Sequence, residues 1–182
     1  MVKVKDQRIE MLEKRVLTLE QAVDDAEQYS RRTSLRVTGL AEKSGEDPCQ
    51  VAMTFFNEVM EINPPLESRD LDRVHRVGPR SEPKSSNRKL LVKFANYQAR
   101  DRVYRARRLL RQKDRSIFIY EDLTKQRATL CWKARCAKRE KKIQDTWTFD
   151  GNVYVKDLAG CISPRLKTEE DLRKTYTTPT SA

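Results

Sequence analysis

Residues 28–40, QYSRRTSLRVTGL, join two kinds of sequence. Before this stretch, apolar residues return every three or four positions. From Ser34 they alternate, with Leu35 and Val37 set against Ser34, Arg36 and Thr38. A change from the period of a helix to that of a strand places a boundary between Ser30 and Ser34. Arg31 and Arg32 occupy it. Their bland reading is a pair of cations complementing a helix C-terminus. The functional reading is fixed charge for a polyanion, continued by Arg36 on the open face of the strand.

Upstream, Val2, Ile9, Val16 and Val23 recur every seventh position, and Leu12, Leu19 and Ala26 follow the last three of them by three. This is an a/d seam, with Lys5 at the d position of the first heptad. So narrow a stripe suits a helix that pairs with copies of itself. The other reading is an amphipathic helix lying on the domain that follows. β-Branched residues at a with leucine at d favour two strands. Against that, Arg15 to Glu20, RVLTLE, resembles a signature of three-stranded coiled coils, in which Arg15 pairs with Glu20 of a neighbouring helix. A homotrimer is expected ahead of a dimer.

Downstream, Asp47 is a candidate N-cap with Pro48 at the first helical position. The spacing predicts a helix over 47–62 with Val51, Phe55, Val59 and Ile62 as its apolar stripe, stopped at Asn63-Pro64-Pro65. A short strand follows at 71–78, then a loop rich in Pro and Ser at 79–87. Residues 88–96 alternate again, Leu90, Val92 and Phe94 inward, Lys89, Leu91 and Lys93 outward. A helix from Tyr97 carries Ala99, Val103, Ala106 and Leu110 on its core side. A last strand turns Ile117 and Ile119 inward and Phe118 and Tyr120 outward. Strand, helix, strand, strand, helix, strand is the ferredoxin-like split order, shared with the RNA-recognition-motif domain. Beyond it, a long basic helix capped by Thr124, a hairpin turning at Asp150-Gly151 and a short helix near Thr168 make a small second domain.

The expected fold class is α+β. Its domains are a coiled-coil helix at 1–30, an RNA-recognition-motif-like βαββαβ domain at 31–122, a C-terminal α+β domain at 123–176 and a frayed tail at 177–182.

Composition narrows the function. The 182 residues hold 38 Lys and Arg against 27 Asp and Glu, a net charge of +11. The first 30 residues are net −2, residues 31–122 net +7 and the remainder net +6, so the basic character begins at the arginine doublet. Such a balance favours nucleic acid or an anionic surface. No apolar run approaches the roughly 20 residues of a membrane span. The N-terminus lacks the apolar core of a signal peptide, so an intracellular chain is expected. With one histidine, five glycines and no catalytic or phosphate-cradling motif, no enzyme activity is expected. Cys49, Cys131, Cys136 and Cys161 include no C-x-x-C pair, so no metal and no cofactor is expected and all four read as reduced thiols.

Two helices carry acid-poor basic runs. The helix from Tyr97 sets Arg100, Arg102, Arg105, Arg107, Arg108 and Arg111 against Asp101 alone. Close like charges on one helix repel by several tenths of a kcal/mol per pair, which a phosphate backbone would relieve. The later helix carries Lys125, Arg127, Lys133, Arg135, Lys138, Arg139, Lys141 and Lys142. Lys89 and Leu91 stand where RNA-recognition-motif domains usually show aromatics. The outward aromatics are Phe118 and Tyr120, which either stack bases or cover the sheet as packing. Binding should therefore lean on phosphates and be weakly sequence-specific.

Taken together, QYSRRTSLRVTGL, DLDRVHRVG, LLVKFANYQARDRVYRARRLL, IFIYEDLT and TWTFDGNVYVKD resemble the protein of the first open reading frame of LINE-type (non-LTR) retrotransposons. The resemblance spans nearly the whole chain in order. It implies a homotrimer that binds single-stranded RNA and DNA, coats the element's RNA as a ribonucleoprotein particle, and acts as a nucleic-acid chaperone during transposition. It further implies cytoplasmic and nuclear particles and the element's endonuclease/reverse transcriptase as a partner. The family's basic pair falls on Arg31 and Arg32, its third-strand basic position on Lys93, and its second-helix arginines on Arg105 and Arg108. Lys89, Arg102, Arg127 and Arg135 are further candidate contacts. The alternative function is a non-enzymatic coiled-coil adaptor derived from such an element.

Overall fold

The computed structural model describes residues 2–79 and 87–177. The protein is α+β, with a long N-terminal helix and a four-stranded antiparallel sheet. It divides at Ser30/Arg31 and again at Asp122/Leu123. Arg31–Asp122 forms one unit, and the chain up to Ser30 joins the chain from Leu123 onward in the other.

In the first unit, β1 (Ser34–Thr38) and β3 (Lys89–Phe94) are central, flanked by β4 (Phe118–Glu121) and β2 (Leu71–Val77), in the order β2-β3-β1-β4. Alternation decides which face is buried: Leu35, Val37, Leu90, Val92, Phe94 and Ile119 point to one side. There they meet α2 (Pro48–Thr54) and α3 (Tyr97–Lys113) through Ala52, Phe55, Phe56, Ala99, Val103 and Leu110. Each large apolar side chain buried here contributes about 1.5–3 kcal/mol. Asp47 caps α2, its carboxylate accepting from the Cys49 N–H at 2.8 Å, and Asn96 caps α3 at the Ala99 N–H, also 2.8 Å.

The helix expected over 47–62 changes character midway. Phe55–Val59 is a π-helical turn, with Met60 N–H donating to Phe55 O at 3.0 Å. The wider turn moves the apolar face by one position. Phe56 and Met60 are buried in place of Val59, which is exposed. The loop expected at 79–87 lies for the most part outside the described residues, as does the tail from 178.

In the second unit, α1 (Val2–Ser30) is exposed at every side chain from Lys5 to Glu20 and becomes covered only in its last turns. Val2 lies within the helix, and its side chain is outside the described residues. The rest is α4 (Lys125–Arg139), the hairpin of β5 (Asp145–Phe149) and β6 (Asn152–Lys156), and α5 (Glu169–Thr177). Leu130, Cys131, Ala134, Ala137, Ile143, Val153, Val155, Leu166 and Leu172 form its core. Asp150 and Gly151 turn the hairpin with φ of 47° and 73°, the paired positive angles of a tight two-residue turn. Gly151 meets a second constraint: a Cβ there would lie 2.5 Å from Gln28 Nε2 of α1. Gln28 Oε1 also accepts the Thr124 N–H at 2.9 Å, so α1 reaches both the start of α4 and the hairpin turn.

Candidate nucleic-acid interface

The open face of the first unit follows directly from the register. One row across the sheet reads His75, Leu91, Arg36 and Tyr120, each paired with the next. A second reads Arg73, Lys93 and Ser34; beside the first row on its other side lie the pairs Val77 with Lys89 and Thr38 with Phe118. Arg36 is thus central, with lysines on one flank and aromatics on the other. Phe118 and Tyr120 are 42% and 38% exposed, their rings near-parallel at 15° with centroids 6.1 Å apart.

The doublet and Arg36 meet a carboxylate that the sequence reading did not single out. Buried Asp122 accepts from Arg31 Nη1 at 3.0 Å and from Arg36 Nε at 2.5 Å. Asp122 thus draws together two guanidiniums that remain partly exposed. Arg32 is exposed beside them. Lys93 pairs with Asp72 at 2.7 Å, where a bulge between Leu71 and Arg73 interrupts the ladder. Lys89 is exposed.

The arginines of α3 do not join this face. Because α3 packs on the inner side of the sheet, exposed Arg105 and Arg108 lie on the opposite side of the unit. Nor does the helix carry six unrelieved charges. Arg100 is buried against Glu121 at 2.5 Å, Arg102 reaches Asp70 at 3.4 Å, and Arg107 lies over the Tyr104 ring at 3.5 Å. Burial pulls the Arg107 guanidinium below its ordinary value. Arg105 pairs with Asp101 at 2.7 Å while staying exposed, and the Arg111 side chain lies outside the described residues. Much of the repulsion expected along α3 is relieved by acids and a ring of the same unit.

The basic run of α4 divides in the same way. Arg127 is 7% exposed and donates to Asp24 at 2.7 Å, to Asp25, to Gly151 O at 3.2 Å and to Asn152 Oδ1 at 3.1 Å. The exposed basic face proposed for it is therefore taken up inside the fold. Arg165 also reaches Asp25. Burial raises the Asp25 carboxyl, but the hydrogen bond and charge of Arg165, with Arg127 and Lys167, outweigh it and hold the group below its ordinary value. Arg135 remains exposed.

On α1, Ile9, Leu12, Val16, Leu19 and Val23 are 47–66% exposed, and Arg15, Glu20 and Ala26 are exposed with them. Val16, Leu19 and Val23 also line one wall of a groove of about 870 Å³ whose other wall includes Thr129 and Leu130 of α4.

Three aromatic residues absent from the sequence-based candidates, Trp147, Phe149 and Tyr154, lie on the hairpin: Trp147 and Phe149 are exposed, and the Trp147 ring is near-parallel to that of half-buried Tyr154. The signal was present: they occupy the strand positions that face away from buried Val153 and Val155. Among the described residues no helix is long and apolar enough to cross a membrane, and no three His, Cys, Asp or Glu side chains gather as metal ligands. No protein-family model and no curated protein matches the chain.

Proposed function

We propose that this protein is an oligomeric single-stranded RNA- and DNA-binding protein with nucleic-acid chaperone activity, coating retrotransposon RNA as a ribonucleoprotein particle. The unit Arg31–Asp122 is read as a ferredoxin-like, RNA-recognition-motif-type domain, a reading its strand order supports. The observation that carries the function is the open sheet face. Arg36 stands at its centre between the Phe118–Tyr120 pair and the lysines of β3. Planar rings accept bases of any identity, and fixed cations track the backbone, so the face suits single strands without a sequence code. Chaperone activity follows from contacts that are numerous, individually weak and reversible. The exposed seam of α1 multiplies them by joining copies, with a trimer favoured.

Arg31→Ala combined with Arg32→Ala tests this reading. On a single strand each lost phosphate contact should flatten the log–log salt dependence by about 0.7, so by about 1.4 for both. The fold should survive, since buried Asp122 keeps its pair with Arg36 when Arg31 is removed. An affinity and slope identical to those of the unaltered protein across a salt series would reject the doublet as a phosphate site.

A further inference from the structure

The hairpin β5–β6 has a face that its own unit does not use. Val153 and Val155 enter the core, with Thr146 and Thr148 half-buried. On the other side, Trp147 stands directly across from Tyr154, rings 16° from parallel and 6.0 Å apart. Phe149, next to the turn, is 59% exposed. Solvated faces of antiparallel hairpins ordinarily carry polar side chains, and none of these three rings belongs to the core cluster behind them.

We propose that Trp147, Tyr154 and Phe149 form a second base-stacking platform for single-stranded nucleic acid, an inference that rests on the single-strand reading above. Ring geometry is the first argument: the pair repeats the Phe118–Tyr120 arrangement within 0.1 Å and 1°. Charge is the second. The run Lys138, Arg139, Lys141 and Lys142 ends two residues before β5; Lys142 pairs with Glu140 at 2.7 Å, and Arg139 and Lys141 are exposed. At the open end of the hairpin Asp145 is matched by Lys138 at 2.6 Å and stands across from Lys156. Rings with cations at the end of the strand that carries them favour bases on a phosphate backbone over a purely apolar protein surface.

Trp147 reports on its own occupant. In a Trp132→Phe background it is the remaining tryptophan. The protein would be titrated with a thymidine oligomer of roughly 30 nucleotides, long enough for several site lengths, and with an abasic oligomer of equal length. Stacking predicts quenching of Trp147 by the thymidine oligomer and not by the abasic one. Trp147→Ala should weaken thymidine binding about tenfold with an unchanged salt slope, while Trp147→Phe retains most of the affinity. The platform is overturned if the thymidine oligomer binds without altering Trp147 emission, if both oligomers quench alike, or if Trp147→Ala binds as tightly as its parent. It is equally overturned if emission shifts with protein concentration alone, which would make the face a contact between copies. In all these cases single-strand binding itself survives. If neither oligomer binds, that reading falls and takes the platform with it.

Discussion

Arg127 and Arg135 share one helix and one basic run, yet they belong to different parts of the physics. Arg127 is buried with its guanidinium fork divided among Asp24, Asp25, Gly151 O and Asn152. Removing one member of a buried ionic cluster leaves the others desolvated and unmatched. Arg127→Met should therefore cost about 3 kcal/mol, read as a lowered urea midpoint. Arg135→Ala should change stability by less than about 0.5 kcal/mol and instead flatten the salt dependence of single-strand binding. Acid should weaken the same cluster in the same direction. Asp25 has a lowered folded pKa, so its contribution is complete above its unfolded pKa of about 3.9 and is lost as pH falls through the lower folded value. The division was not legible in the sequence. A run of cations announces positive charge but not which members find acids elsewhere, and the acids that claim Arg127 lie about a hundred residues away. Asp122 escaped notice for the same reason: Arg31 and Arg36 lie about ninety residues before it, and the antiparallel pairing of β1 with β4 brings them together.

At the scale of elements, periodicity was a good guide wherever one face is buried. The sides chosen for β1, β3 and β4 follow from alternation, because a slip of one residue would turn Leu35, Leu90 and Ile119 to water. Periodicity gave way just after α2, where a π-turn lets Phe55 and Phe56 both enter the core; adjacent aromatics satisfy neither helical nor strand spacing. In α1 the heptads and the fold divide the helix. From Lys5 to Glu20 the seam meets water, whereas Asp24, Asp25 and Gln28 serve the C-terminal unit. The seam is therefore available to other copies without disturbing the docked end. Val16→Glu with Leu19→Glu places charge at adjacent a and d positions. Light scattering should then report monomers, and single-strand affinity should fall about a hundredfold with the loss of multivalency. A parent protein that is already monomeric and orders only with a different partner's helix would instead support the adaptor reading.

The whole molecule interleaves its two units. The chain leaves the second at Ser30, completes Arg31–Asp122, and returns at Leu123, so the C-terminal fold is finished by residues made first. This arrangement predicts how the protein comes apart. A chain lacking residues 1–30 loses Asp24, Asp25 and Gln28, leaving Arg127 buried without its acids and Gly151 facing a void. The loss of about 3 kcal/mol from an uncompensated guanidinium is large against the 5 kcal/mol or so that holds a small domain together. Core amides of α4 and β6, Leu130 to Ala137 and Val153 to Val155, should lose hydrogen-exchange protection. Those of Leu35, Val37, Leu90 and Val92 should keep theirs, since that core draws on nothing outside Arg31–Asp122. Full protection of α4 and β6 in the shortened chain would show that the C-terminal segment folds without the helix, and would reduce the Asp24–Asp25–Arg127 cluster to a surface contact.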